Sequence, residues 1–269
     1  MGDSASIGTG TLEGVKETVL EASSLMVGSG YRIMEKDGEV NLVTSSDLAV
    51  QDFLTERLSR FLPGSGFICE EEDFRDTSKD LIWIIDPIDG TANYARGMSD
   101  CCISVALADK KGPLLGVVYS PARKEMYSAL RGHGSFLNGE SIHVSDRHFS
   151  NALFCCAMST YRKEFAKTCS DIIYDVHMQC NDTRRWGSAA LELCFLAAGT
   201  VELYFEMRLQ PWDYAAGELI LTEAGGCISD FKGGSPSLYS PSLVAAANSH
   251  ENLQRLLGIV HDHMDAVPY

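Results

Sequence analysis

The run Trp83-Ile84-Ile85-Asp86-Pro87-Ile88-Asp89-Gly90-Thr91-Ala92-Asn93 decides the fold and indicates the chemistry. Its first, large apolar residues predict a buried β-strand that ends at turn residues. Asp86 and Asp89 repel each other at this spacing unless a cation holds them together, and carboxylate and backbone carbonyl oxygens suit Mg²⁺. Gly90 lets the backbone approach an anion, and Thr91 adds a hydroxyl. The run therefore predicts a metal and phosphate site in one loop, with a strand followed by an Asx turn as the alternative.

The composition is that of an ordinary globular protein. The chain has 269 residues, of which 45% are hydrophobic and 22% charged, enough for one large domain or two packed halves. A net charge of −15 argues against nucleic acid as a partner. No apolar run is long enough to cross a membrane, and residues 1–11 do not have the pattern of a signal peptide. Nine cysteines without disulfide or zinc spacing indicate reduced thiols, so we expect a cytoplasmic protein.

Two distant segments also place acids beside apolar residues. Residues 67–72 lead into three glutamates, and residues 211–226 begin with Pro-Trp-Asp. Together with the first run they resemble the signatures of the inositol monophosphatase family, within the lithium-sensitive, Mg²⁺-dependent sugar phosphatase superfamily. The resemblance spans roughly residues 12–258. Within this range, further segments resemble family landmarks in the expected order, namely residues 36–44, 116–121, 132–139 and 187–190.

The resemblance implies an α/β fold with layered α and β elements, an αβαβα sandwich of the inositol monophosphatase and fructose-1,6-bisphosphatase type. We expect residues 1–269 to form a single catalytic unit with an N-terminal α+β half (11–145) and a C-terminal α/β half (146–265). Hydrophobic periodicity predicts helices over residues 11–28, 161–174, 188–198, 212–224 and 250–259. A second helix from residue 45 should bury Leu48, Phe53 or Leu54, Leu58 and Phe61. Residues 36–44 and 73–80 are predicted loops, and Asn138-Gly139 predicts a hairpin turn.

The resemblance also implies the members of the site. The expected metal ligands are Glu70, Asp86, the carbonyl of Ile88, Asp89 and Asp213. The expected catalytic residues are Glu70, Thr91 and Asp89, with Glu70 and Thr91 orienting the attacking water. The expected substrate-binding residues are Ile88, Asp89, Gly90, Thr91, Gly187, Ser188, Ala189, Glu206 and Asp213. Two cations can stabilise both the attacking and the leaving oxygen of an in-line displacement, so a covalent phosphoenzyme is not needed.

The implied activity is hydrolysis of inositol monophosphate, or of a similar small sugar or polyol phosphate, by metal-activated water. Two or three Mg²⁺ ions per site are expected as cofactors, with inhibition by Li⁺ or Ca²⁺, and the protein is expected to form a homodimer. A 3′(2′),5′-bisphosphate nucleotidase and a fructose-1,6-bisphosphatase are the alternatives within the superfamily. A non-catalytic regulatory binding partner is the alternative from another class.

Some assignments stay open at the level of sequence. Glu71 competes with Glu70 as the ligand, because three glutamates stand in a row. Asp213 has the position of a helix N-cap as well as that of a ligand. Trp186 either narrows the sugar pocket or belongs to the core. His261 and His263 are expected to lie in a disordered tail, with metal binding as the alternative.

Overall fold

A computed structural model describes residues 7–26, 33–35, 42–71, 75–159 and 162–264, of which 33–35 and 42–44 are described by backbone alone. Most of the predicted landmark 36–44, including Lys36, lies outside these residues. The elements of the first half are, in chain order, α1 (Thr9–Ser23), β1 (Ile33–Glu35), β2 (Leu42–Thr44), α2 (Ser45–Phe61), β3 (Gly66–Cys69), β4 (Arg75–Asp76), β5 (Ile82–Asp89), α3 (Thr91–Tyr94), β6 (Cys102–Asp109), β7 (Gly112–Ser120), β8 (Glu125–Leu130), β9 (Ser135–Leu137) and β10 (Glu140–Ile142).

The second half of the chain mixes helices and strands. Its elements are β11 (Leu153–Cys156), α4 (Ala166–His177), β12 (Asp182–Arg184), α5 (Ala189–Ala197), β13 (Leu203–Leu209), α6 (Pro211–Glu223), β14 (Cys227–Ser229), β15 (Ser242–Ala247) and α7 (His250–Met264).

Two large sheets organise the described chain. The first has the strand order β10-β9-β8-β7-β6-β5-β3-β4, and only its β3–β5 pair is parallel. The second has the order β12-β11-β13-β15-β14, in which β11 runs parallel to both of its neighbours. Asn138 and Gly139 join β9 to β10 with φ of 50° and 87°, which confirms the predicted hairpin turn.

Alternation along β5 shows how the layers form. Trp83 and Ile85 pack with α1 and α2 in one core cluster, whereas Ile82 and Ile84 face α5 and α6 in a second cluster. The second sheet covers the far side of α5 and α6, and a third cluster joins its outer face to α4 and α7. The order helix, sheet, helix, sheet, helix confirms the αβαβα sandwich.

Two glycines allow the central helices to pack closely. A Cβ atom on Gly116 of β7 would lie 2.8 Å from the carbonyl oxygen of Ala216 in α6. A Cβ atom on Gly217 would lie 2.9 Å from the Cβ of Leu193 in α5. Close contact of α6 with both neighbours fixes the position of its N-terminal end, where Asp213 lies.

The C-terminal tail prediction is wrong for two histidines. Helix α7 continues to Met264, so His261 and His263 lie inside it. The Nε2 of His263 is 2.7 Å from Asp175 Oδ2, and the Nε2 of His261 is 2.8 Å from the carbonyl oxygen of Phe231. These contacts tie the end of α7 to the rest of the fold.

Other boundaries also differ from the predictions. Phe61 is exposed because it ends α2, and Val50 takes its place in the buried stripe. Strand β2 lies in the predicted loop 36–44, and β4 lies in the predicted loop 73–80. Strands β12 and β14 were not predicted. All nine cysteines are free thiols, and most are buried, as expected.

Candidate functional site

The end of β5 turns two acids toward the middle helical layer. Asp86 pairs with Ser104 of β6 and Asp89 pairs with Cys102, so β5 carries one extra residue between these pairs. Such a bulge lets side chains three residues apart face the same side of a sheet. Asp86 Oδ1 accepts a hydrogen bond of 2.9 Å from the N–H of Ile88. Both aspartates are buried, and both lie in the strand rather than after it.

The carboxylate of Asp89 is bound to the start of α5. Its Oδ2 accepts hydrogen bonds of 2.7 Å from both the Ser188 hydroxyl and the N–H of Ala190. Burial raises the pKa of Asp89 to about 6, although these bonds act to lower it. The predicted residues Ser188 and Ala189 are thereby brought to the acid-bearing loop, where the start of α5 meets the end of β5.

Asp213 combines a capping role with a place in the acid cluster. Gln210 is the N-cap of α6, and Asp213, three residues on, accepts a 2.7 Å hydrogen bond from the N–H of Gln210 through Oδ2. The sequence predicts the N-cap at Asp213, and the structure places it one turn earlier, at Gln210. Burial, followed by repulsion from Asp89 and Glu70, raises the pKa of Asp213 well above its usual range.

Acids from three elements lie near one another. Burial raises the pKa of Asp86 well above its ordinary value, and the charges of Glu70, Asp89 and Asp213 raise it further. The carboxyl groups of Glu70 and Asp86 also share a hydrogen bond. Glu71 has its backbone N–H and carbonyl bound by the side chain of Gln51. These contacts favour Glu70 over Glu71 as the member of the cluster.

The donor types of this cluster fit a hard divalent cation. Such ions take carboxylate and carbonyl oxygens, and a buried group of mutually repelling acids is stabilised by added positive charge. Among the described residues, however, no three His, Cys, Asp or Glu side chains already stand in the arrangement of a metal cage. The carboxylates instead accept hydrogen bonds from their neighbours, so the fit to a cation is one of donor chemistry and location.

The hydroxyl of Thr91 has a partner that the sequence did not reveal. Its Oγ1 donates to the carbonyl oxygen of Ile88 at 2.9 Å and to Asp47 Oδ1 at 3.3 Å. Asp47 is fully buried in the first turn of α2. At the level of sequence it resembles an ordinary helix-capping acid, and only its burial marks it as part of the site. The N–H of Gly90 interacts with the Asp89 carboxylate.

Two further polar side chains, those of Tyr204 and Glu206, lie on strand β13. Glu206 is on β13, and its Oε2 accepts a 3.0 Å hydrogen bond from the hydroxyl of Tyr204. Burial raises the pKa of Glu206 to about 7. The hydrogen bond from Tyr204 acts to lower this pKa, the negative charge of Asp89 acts to raise it, and the positive charge of Arg185 acts to lower it. The influence of Asp89 places Glu206 within electrostatic range of the acid cluster. Trp186 is half-buried against Phe195, with ring centroids 5.2 Å apart.

A separate cavity of about 420 Å³ lies away from the acid cluster, between the β6–β7 turn, the end of α6 and residues 235–239. It contains none of the expected site residues. In the part of the chain that the structure describes, no helix is long and apolar enough to cross a bilayer.

The sequence and the fold of this chain are similar to those of the inositol monophosphatase family. The model of the inositol monophosphatase family matches residues 6–265. The chain is 37% identical over 210 residues to Nus factor SuhB of Escherichia coli (strain K12), covering 77% of this chain and 79% of that protein. It is also 37% identical over 225 residues to inositol monophosphatase 2 of Solanum lycopersicum, covering 81% and 84%. The solved structure of a Thermotoga maritima IMPase superposes with a TM-score of 0.83 at 28% identity, covering 95% of this chain and 98% of that one.

Proposed function

The chain belongs to the inositol monophosphatase family, and from this premise we propose that it is a Mg²⁺-dependent phosphatase. Its substrate is inositol monophosphate or a similar small polyol phosphate, which it hydrolyses to the free alcohol and inorganic phosphate. The observation that carries the proposal is the gathering at one place of acids from β5, from the residue after β3 and from the first turn of α6, with Thr91 beside them.

The residues that would hold Mg²⁺ are Glu70, Asp86, the carbonyl of Ile88, Asp89 and Asp213. When bound, the metal supplies a water of lowered pKa and positive charge for the phosphate oxygens and the leaving alkoxide. Bonds to backbone N–H groups fix the orientation of the three aspartates. Oriented ligands lose little conformational entropy on binding an ion.

Thr91 and Glu70 would position the attacking water and accept its proton. Asp47 can accept a hydrogen bond from the Thr91 hydroxyl, which leaves a Thr91 lone pair to accept one from water. The turn at Gly90 and Thr91 would hold phosphate oxygens through backbone N–H groups, with the N–H of Gly90 shared between phosphate and the Asp89 carboxylate. Gly90 has φ of 87°, a left-handed conformation that glycine adopts without strain.

The hydroxyls of the departing polyol would be held by a further set of residues. Gly187, Ser188, Ala189 and Glu206 supply backbone and side-chain groups there, and a hydroxyl can both donate and accept hydrogen bonds. Residues 92–94 are Ala-Asn-Tyr, which resembles the inositol phosphatase branch, whereas the nucleotidase branch tends to carry Lys-Glu-Phe there. This favours inositol phosphate over 3′-phosphoadenosine phosphates.

A non-catalytic binding role would predict loss of an acid or of Thr91, and the sequence retains them all. We expect a homodimer and a cytoplasmic location.

Substitution of Asp89 by Asn tests the proposal. The amide oxygen of Asn can still accept from Ser188 and Ala190, so the fold should be retained, while an NH₂ group replaces the oxygen that would bind the metal. We expect phosphate release to fall by about 10²–10³-fold or more, since a bound metal contributes several kcal/mol to the transition state. Asp146→Asn, at an exposed position, is the matched control and should behave as wild type.

The assay is phosphate release in Mg²⁺ buffer from inositol 1-phosphate, glycerol 2-phosphate, fructose 1,6-bisphosphate and 3′-phosphoadenosine 5′-phosphate. Circular dichroism of each variant checks that it is folded. Near-normal turnover by Asp89→Asn would contradict the proposed site. No phosphate release by the wild-type protein from any of the four would contradict the proposed function.

A further inference from the structure

The peptide group of Trp186 is held from both sides by buried or half-buried side chains. Its carbonyl oxygen accepts a 2.6 Å hydrogen bond from Asn93 Nδ2, which also donates to the carbonyl of Asp100 at 2.7 Å. Its N–H donates to Glu192 Oε1 at 2.5 Å, and the next N–H, that of Gly187, donates to the same oxygen at 3.0 Å. Asn93 belongs to the first half of the chain and Glu192 to the second, so the peptide is clamped across the junction.

The clamped peptide directly precedes residues 187–189, the polyol-binding segment of the proposed function. Gly187 has φ of 83°, and a Cβ atom there would lie 3.3 Å from Asn93 Nδ2. The carbonyl oxygen of Gly187 in turn would lie 3.3 Å from a Cβ atom on Gly90. The polyol-binding segment and the acid-bearing loop are therefore in direct contact, and a shift of the Trp186 peptide would move one relative to the other.

Glu192 occupies a position that packing alone would give to an apolar residue. It is 2% exposed on α5, whose other eight residues are all apolar and buried. The hydrogen bonds that the described structure gives its carboxyl group come from the two N–H groups of residues 186 and 187. Burying a carboxyl group is costly unless it makes specific hydrogen bonds, so these two bonds account for the presence of an acid at this site.

We propose that Glu192 and Asn93 are positioning residues that set the polyol-binding segment against the acid-bearing loop. Neither reaches the reacting atoms; both act through the Trp186 peptide. The inference rests on the proposed function for its catalytic consequence, although the clamp itself is a structural claim that can be tested separately.

Three variants separate acceptor geometry from charge. Gln at position 192 keeps an oxygen that can accept both N–H groups, so Glu192→Gln should resemble wild type. Glu192→Ala removes the acceptor, and Asn93→Asp turns a donor into an acceptor that faces two carbonyl oxygens. For the last two we expect KM for inositol 1-phosphate to rise about tenfold or more, with kcat changed less than about threefold. KM for glycerol 2-phosphate, which has fewer hydroxyls, should change less. Glu251→Ala, at an exposed position, is the matched control.

Hydrogen–deuterium exchange in the presence of a chelator tests the clamp without activity. Peptides that cover residues 183–190 should exchange about tenfold faster or more in Glu192→Ala than in wild type, and Glu192→Gln should restore slow exchange. Unchanged exchange and KM in both Glu192→Ala and Asn93→Asp would overturn the proposal. So would a Glu192→Gln variant as impaired as Glu192→Ala. If wild type releases no phosphate at all, the proposed function fails, and the exchange result still decides the clamp.

Discussion

Helix α6 carries a second buried acid, Glu218, that provides a test of the electrostatic reasoning away from the acid cluster. Glu218 is 8% exposed at the wall of the separate cavity. Its Oε2 is buried and has no hydrogen-bond partner among the described residues. Burial raises the pKa of Glu218 from 4.5 to about 7. Replacement by Gln keeps the shape of the side chain and removes the ionisable group.

The size of the effect follows from the two pKa values. A raised pKa in the folded state means that the protonated group favours folding at low pH, and that this contribution is lost as pH rises toward the folded pKa. The loss begins near pH 4.5, the unfolded value, and is complete somewhat above pH 7. Each pH unit in this window is worth about 1.4 kcal/mol, so Glu218→Gln should be more stable than wild type by about 3 kcal/mol at pH 8.

Urea denaturation at pH 5 and at pH 8, both with chelator, measures this difference. The gain from Glu218→Gln should be below about 1 kcal/mol at pH 5 and about 3 kcal/mol at pH 8. At pH 8 the melting temperature should rise by roughly 6–12 °C. Glu251→Gln, at an exposed position of α7, is the matched control. An equal gain at both pH values would refute the reasoning that burial alone shifts this carboxyl group, and would weaken the same reasoning for Asp86 and Asp213.

Two further predictions concern the site. A non-glycine residue in the left-handed conformation costs about 1–2 kcal/mol of the free energy of unfolding. Gly90→Ala should cost more than this in urea denaturation, because its Cβ would also lie 2.9 Å from the carbonyl oxygen of Asp100. Gly97→Ala, with φ of 70° and open space around it, measures the conformational cost alone, and an equal loss of stability in the two variants would exclude the steric effect. Glu206→Ala should raise KM for inositol 1-phosphate more than KM for glycerol 2-phosphate, and equal changes would remove Glu206 from the polyol pocket.

The layered fold could be predicted from the sequence because its central strand is unambiguous. Ile82 to Ile85 form a continuous apolar run, and the resemblance supplied the order of the layers. Short edge strands such as β12 and β14 have three residues each, too few to show a period of two. The end of α7 was missed for another reason. His263 is polar, and only the tertiary contact with Asp175 shows that it belongs to the folded chain.

The acid cluster could be predicted in part because strand ends bring their side chains to defined places. Asp86 and Asp89 end the apolar run of β5, whereas Asp213, in the first turn of α6, is assigned by the resemblance of residues 211–226 to a family signature. Asp47 could not be found in this way, because an acid in the first turn of a helix is common and favourable, and its contact with Thr91 spans 44 residues of sequence. The clamp on Trp186 depends on Asn93 and Glu192, which are far apart in sequence and adjacent only in the folded chain.

The three aspartates of the cluster share a feature that explains how acids from different elements can act together. One carboxyl oxygen of each is bound by a backbone N–H: that of Ile88 for Asp86, Ala190 for Asp89 and Gln210 for Asp213. Backbone donors are fixed by the fold, so each carboxyl group is oriented before any ion arrives, and the second oxygen does not take part in that bond. Glu at any of these positions would keep the charge but displace the group by one methylene, which breaks either the backbone bond or the approach to the ion. Asn keeps the backbone bond and loses the second oxygen. In the proposed function the orientation of these side chains is therefore separable from metal binding, and we expect the substitution at Asp89 to lower turnover sharply while leaving the fold in place.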